Sequence, residues 1–209
     1  MDPKAITTTR SLLDALDARG DELKARTAFD AKVWQALGTD AAILVTDLSG
    51  FTKQTKKHGI LHFLHVFRRC EQACLPIIEA HGGQLMKQEA DDLITIFDGP
   101  LSALRAAIEM QEATVALNKT LAQEDDHVRM SMGIECGPLL RLQDDAFGDA
   151  VNVAFKLGED IADPGEVLIG KTAFTAATEA GFEFSKYSVQ GPRVVTAGNV
   201  GLEHWSLRL

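Results

Sequence analysis

Five apolar residues in a row, Ala41 to Val45, stop abruptly at Thr46 and Asp47. The run is too short for a helix and does not alternate, so it predicts a strand buried on both faces. After the loop Asp47-Leu48-Ser49-Gly50-Phe51-Thr52, apolar positions recur with helical spacing (Ile60, Leu61, Leu64, Phe67, Cys70, Cys74, Ile77, Ile78), which predicts one long helix reaching about Ala80 and ended by Gly82-Gly83. Strands are expected at about 83–88 and 92–97, joined by a turn into an antiparallel hairpin. Asp98 is the expected cap of a second helix, with Pro100 in its first turn and Leu101, Leu104, Ala107, Ile108, Val115 and Leu117 facing inward.

Beyond that helix, 127–135 and 138–142 read as a strand pair about Cys136-Gly137-Pro138. A helix follows from about Gly148 to Ala162, then a strand at Val167–Ile169, a short helix at 172–179, and C-terminal strands ending in His204-Trp205-Ser206-Leu207. The order β-α-β-β-α-β is the ferredoxin-like split motif, so the expected fold is α+β, an antiparallel-rich sheet with helices packed on it and extra C-terminal α/β elements. Residues 1–40 differ: Ser11 is a candidate helix cap, and Leu12, Leu13, Leu16 and Leu23 are mixed with charges, with Val33, Trp34 and Leu37 forming a second apolar patch. The expected division is a helical extension at 1–40, packed on the main domain or on a second copy, and one domain at 41–209.

Composition narrows the function. Thirty acidic against twenty-one basic residues give a formal charge of −9 over 209 residues, which disfavours a protein that gains affinity by neutralising a nucleic-acid backbone. The sequence contains neither an apolar stretch long enough to span a bilayer nor the apolar core of a secretory signal, so a cytoplasmic protein is expected. Three cysteines without CxxC spacing indicate reduced, buried thiols. His58, His62 and His65 recur on roughly one helical face, but nothing is spaced to complete a zinc site, and a solvated face is expected.

The topology itself proposes a site. In a split βαβ unit the third strand lies between the first and second and runs antiparallel to the first, so Asp47 at the end of one strand falls beside Asp91 at the start of another. Two carboxylates brought together over an open loop repel unless a cation lies between them, and oxygen-only ligands suit Mg²⁺ or Mn²⁺. Taken singly, Asp47 could be a helix cap and Asp91 a turn residue.

Their surroundings add a resemblance. Val45-Thr46-Asp47-Leu48-Ser49-Gly50-Phe51-Thr52 closely resembles the first metal-binding signature of the class III nucleotidyl cyclases, the adenylate and guanylate cyclase catalytic domain. Lys87-Gln88-Glu89-Ala90-Asp91 resembles the second signature. Asp145-Ala146-Phe147-Gly148-Asp149-Ala150-Val151-Asn152 and Pro164-Gly165-Glu166-Val167-Leu168 are similar to later family segments. The resemblance spans about 41–170, in order and on the expected elements.

It implies attack of a ribose 3′-hydroxyl on the α-phosphorus of ATP, with release of pyrophosphate and closure of cyclic AMP. Asp47 and Asp91 would hold two Mg²⁺ or Mn²⁺ ions, and the amides of Leu48, Ser49, Gly50, Phe51 and Thr52 would cradle phosphates. Lys87 and Asp145 occupy the base-reading positions. A donor-only lysine beside an acceptor-only aspartate fits adenine N1 and N6 and also cytosine N3 and N4, so CTP stays open. Asn152 matches the asparagine that orients the ribose, and Lys156 stands four residues on, where the family usually has arginine. Ala90 replaces the usual glycine. The match selects Asp91 rather than Asp92, and Arg129 lies on the strand of the family's phosphate-binding arginine, but displaced in register.

The family shares its sites between two subunits, which implies a head-to-tail homodimer. With Lys156 and Ala90, a non-catalytic nucleotide-binding module is the alternative. A regulatory partner is possible, and none is identified by the sequence.

Overall fold

The computed structural model describes residues 5–197 and 200–209. The first four residues of the N-terminal extension lie outside them. Helices α1 (Thr9–Leu16) and α2 (Leu23–Leu37) precede strand β1 (Gly38–Leu48), followed by α3 (Phe51–His58), α4 (Ile60–Ala80), β2 (Gln84–Glu89), β3 (Asp92–Phe97) and α5 (Pro100–Asn118). Then come β4 (Met130–Arg141), β5 (Ala146–Phe147), α6 (Asp149–Phe155), a π-helical segment Lys156–Ile161, β6 (Val167–Gly170), α7 (Lys171–Glu179), β7 (Ser188–Ala197) and β8 (Val200–Arg208).

The sheet order is β2-β3-β1-β4-β6-β8-β7, with β5 paired to β4. Its first four strands are the split βαββαβ core, with β3 antiparallel between β1 and β2, as the sequence predicts. The β4–β6 pairing is parallel, and the C-terminal strands extend that edge.

Strand β1 is central, and its run Ala42 to Val45 is fully buried. Ala42, Leu44 and Leu48 join Phe67, Cys74 and Ile78 of α4 and Leu104 and Ala107 of α5 in the larger core. Ala41, Ile43 and Val45 join Ile94 and Ile96 of β3 and Val151 and Ala154 of α6 in a second core on the opposite face. This two-faced burial is why the run carries no polar alternation.

Several expectations are corrected. The long helix is two helices, because Gly59 takes φ +87° between α3 and α4, and this leaves Ile60, Leu61 and Leu64 exposed rather than inward. Val115 is exposed as well. Residues 127–142 do not form a strand pair: β4 runs unbroken past Gly137-Pro138, because β1 pairs with it along its whole length, from Gly38↔Leu140 to Leu48↔Met130. Gly99, not Asp98, precedes the first turn of α5. Thr8 is the N-cap of α1, and Ser11 sits inside a capping box that satisfies both ends of the turn.

The N-terminal helices pack on this same chain. Ile6, Leu12, Phe29 and Val33 bury Leu142, and Gln143 donates its amide to Thr7. Helix α2 passes into β1 without an intervening residue. The three histidines do not share a helix. His58 meets Asp125 at 3.0 Å, and His62 meets the Asp125 carbonyl at 3.1 Å, so these two fasten the Glu124–Asp126 turn, while His58 and His65 stay exposed as a solvated face predicts and His62 is half-buried. Cys70 and Cys74 are buried free thiols 3.9 Å apart, as expected.

One close approach sets the height of α6 and the π-helical segment over the sheet. A Cβ on Gly133 would lie 2.2 Å from the Ala154 carbonyl and 2.4 Å from the Gly158 amide, so only glycine lets this helical stretch lie against β4. Gly133→Ala is expected to destabilise the chain by about 3 kcal/mol, at the upper end of overpacking costs, read as a lowered urea midpoint with an unchanged slope.

Candidate active site

Strand pairing carries the acids to one end of the sheet. Thr46 is opposite Leu93 on one side, and Asp47 is opposite Ser131 on the other. Side chains alternate, so Asp47 continues the row of Ile43 and Val45, and Asp92 continues the row of Ile94 and Ile96 on that same face. Asp91 lies in the turn just before β3. Ala90 reaches that turn with φ +53°, a left-handed conformation that costs an L-residue about 1–2 kcal/mol, so the replacement of glycine at this position is a strained one. The turn lets both acids of the pair approach Asp47: Asp91 as the sequence selects, and Asp92 in addition.

Glu159 arrives from the other side. Gly158 is buried, and a Cβ there would meet the Val45 carbonyl at 3.0 Å, so the π-helical segment is pressed onto β1 one residue before Glu159. A single-turn π-segment inside a helix is a frequent mark of a functional site.

The electrostatics follow from this crowding. Burial raises the Asp47 carboxyl above the ordinary aspartate range. The charge of Asp91 pushes it further, and the Ser131 hydroxyl, donating to Oδ2 at 3.1 Å, pulls it back. Burial also raises Asp91, its own amide opposes the rise, and Glu159 adds to it. Asp92, only 8% exposed, is pushed up to about 8 by burial, by the close approach of the Glu159 carboxyl, and by the charges of Glu159, Asp47 and Asp91. Among basic residues, Lys156 is held by Asp160, and Lys87 by Glu89 and Asp145. Burial is the largest cause for all three acids and their mutual charge adds to it; an all-oxygen donor set of this kind fits a divalent Mg²⁺ or Mn²⁺. Among the described residues, no three acidic, histidine or cysteine side chains are already gathered closely enough to ligate one ion.

The loop after β1 differs in part from the expected cradle. Leu48 is buried in the ladder opposite Met130, and the Ser49 amide donates to the Arg129 carbonyl at 2.8 Å, so it is committed to the sheet. Gly50 takes φ +98° as the N-cap of α3, with no side-chain cap, which leaves the amides of Phe51, Thr52 and Lys53 as the open donors of the first turn. Beside them lies a cavity of about 200 Å³ lined by Ser49, Gly50, Lys53, Gln54, His127, Arg129 and Pro164, with one acid, Glu124, on its wall. Arg129, displaced in register, reaches this loop after all. Lys53 and His127 carry no sequence signal for this cavity, because residues brought together from two distant segments make no motif.

The other expected residues also come together. Lys87 Nζ donates to Asp145 Oδ2 at 3.3 Å and lies 3.1 Å from Glu89 Oε2, and these partners, Glu89 foremost, raise its pKa. Asn152 is exposed on α6. The Lys156 amide donates to the Asn152 carbonyl, so the turn between them is intact and the π register begins after it. The Lys156 ammonium is bonded to Asp160, four residues on.

A model of the adenylate and guanylate cyclase catalytic domain matches residues 36–204. An adenylate cyclase of Glutamicibacter nicotianae is 26% identical over 73% of this chain and 36% of its own length. The crystal structure of an adenylate/guanylate cyclase/hydrolase from Silicibacter pomeroyi superposes with a TM-score of 0.68 at 26% identity, covering 82% of this chain and 98% of that one. The guanylyl cyclase Cya2 shares the fold, with a TM-score of 0.68 at 22% identity over 81% of this chain and 92% of its own. The chain spans between 22% and 36% of the length of the curated relatives it matches.

The raised acids give a pH test. A carboxyl whose pKa is higher folded than unfolded loses its proton from the unfolded chain first, so the native state is weakened as pH rises from about 4 toward about 8, the value to which Asp92 is raised. With divalent ions chelated, the melting temperature of the wild type is expected to fall more steeply between pH 5.5 and 8.5 than that of Asp92→Asn.

Proposed function

Since the chain belongs to the adenylate and guanylate cyclase catalytic domain family, we propose that it closes ATP to 3′,5′-cyclic AMP and pyrophosphate at sites shared by two copies arranged head to tail. The observation that carries the reading is the convergence of Asp47 and Asp91, two half-buried carboxylates repelling each other at one end of the sheet. Asp47 and Asp91 would hold the cations, which when bound stabilise negative charge on the ribose 3′-oxygen and on the triphosphate.

The remaining roles belong to this chain's own groups. The open amides of Phe51, Thr52 and Lys53, with Gly50 permitting close approach, take phosphate oxygens, and Arg129 and Lys53 add positive charge from the adjoining cavity. Lys87 donates to adenine N1, and Asp145 accepts from N6. In the absence of a base the two bond each other in a partly exposed pair, which is worth at most about 1 kcal/mol, so the base displaces it readily. Asn152 orients the ribose. Lys156 faces the α-phosphate as a point charge, without the planar fork of an arginine, and it must leave Asp160 to do so.

Lys87 and Asp145 sit beside each other in one chain, whereas the family pattern sets them across the dimer from the metal acids. Each copy carries both sets, so two equivalent sites result and a monomer has none. The helices before β1 are proposed as an extension that stiffens the Leu140–Leu142 end of this unit, residues 38–40 of the expected 1–40 segment being already part of the strand.

The test is a product assay: purified chain, verified as a dimer, receives each of the four nucleoside triphosphates with Mn²⁺, and cyclic products are resolved by mass. Cyclic AMP as the main product, abolished in Asp47→Ala, is expected. Cyclic CMP would move the specificity to CTP, and the absence of any cyclic product would make the chain a nucleotide-binding module. Lys156→Arg is expected to raise the rate about tenfold or more, because a well-placed transition-state donor is commonly worth about 10²–10³. An unchanged rate would mean that the site is built around lysine.

A further inference from the structure

Asp92 has no role in the scheme above, and its setting is unusual. It is the first residue of β3, on the face that carries Asp47, and it is more than nine-tenths buried. Its Oδ1 atom is fully buried with no hydrogen-bond partner. An unpaired buried carboxyl oxygen is costly to the fold, so it calls for a ligand that the protein itself does not provide. Glu159 lies beside it, delivered by the π-helical segment that Gly158 seats on Val45.

We infer that Asp92, with Glu159, is a further acidic element of the divalent-cation site, accepting hydrogen bonds from the water shell of a cation held by Asp47 and Asp91. The inference rests on the reading of those two residues given above. Two points favour water-mediated contact over direct ligation. Among the described residues no three acids are already gathered about one point. Mg²⁺-like ions also keep several waters, each with protons to donate, and an orphaned buried acceptor is the complement of such a shell. The consequence is a cation site deeper in negative charge than two carboxylates provide, able to take up a divalent ion before any nucleotide brings its phosphates. Asp92 and Glu159 are positioning residues: they act on the cation through water and touch no reacting atom.

The experiment uses the full chain and Mn²⁺ alone, with no nucleotide, and free Mn²⁺ is read by its electron paramagnetic resonance signal at pH 7.5. Wild type, Asp92→Asn, Glu159→Gln and Asp47→Asn are compared, with Asp98→Asn as a charge control at the exposed far end of β3. Outer partners of metal sites typically account for about 10–100-fold in affinity, and that loss is expected for Asp92→Asn, with at least a severalfold loss for Glu159→Gln and none for Asp98→Asn. The inference is overturned if Asp92→Asn binds Mn²⁺ within twofold of wild type, if Asp98→Asn loses as much, or if the wild type takes up no Mn²⁺ without nucleotide. Should Asp92→Asn fail to fold, Glu159→Gln decides, because that side chain is exposed and its loss leaves the core untouched. Loss of Mn²⁺ in Asp47→Asn alone would sink this inference and spare the proposed site. Undiminished binding in Asp47→Asn would sink the reading of the site itself.

Discussion

Strand β1 is hydrogen-bonded on both edges and apolar on both faces, and every part of the candidate site takes its position from that strand. Pairing with β3 on one side and with β4 along eleven registered positions on the other fixes where Asp47 emerges. The same ladder sets Ser131 against Asp47 and delivers the turn containing Ala90 and Asp91. A slip of one residue would turn Asp47 into the helix-covered core, so the burial of Ile43 and Val45 specifies the position of the carboxylate as firmly as any local contact does.

That rigidity is bought with electrostatic and conformational strain. Asp47, Asp91 and Asp92 are all pushed toward their neutral forms, Ala90 sits in a left-handed conformation, and Asp92 buries an oxygen without a partner. Each feature weakens the chain when it stands alone, and a divalent cation relieves the electrostatic ones together. The two-faced core around β1 supplies the stability that lets such an end persist, and local rules fail there while they hold elsewhere in the sheet.

The strand order and the pairing of Asp47 with Asp91 were legible because they depend on periodicity and on a topology with few alternatives. The break at Gly59 was less legible, since a glycine inside a helical apolar pattern is tolerated as often as it interrupts. Gly137-Pro138 has the composition of a turn and predicts two strands, and only the opposing length of β1 reveals the continuous strand β4. The committed amide of Ser49 and the cavity where Lys53 meets His127 and Arg129 depend on contacts between segments about 75–80 residues apart. Glu159 is hidden for a similar reason: the sequence predicts one α-helix from 148 to 162, and the π register that begins at Lys156 has no pattern of its own.

The central claim is that divalent cations sit at the end of β1 and β3. Its most direct test is a crystal of the chain grown with Mn²⁺ and a non-reacting ATP analogue, with data collected for the anomalous signal of manganese. Anomalous peaks within coordination distance of Asp47 and Asp91 are expected, with the triphosphate against the α3 N-terminus. Manganese found only on the phosphates or elsewhere on the surface, with both aspartates unligated, would contradict the account.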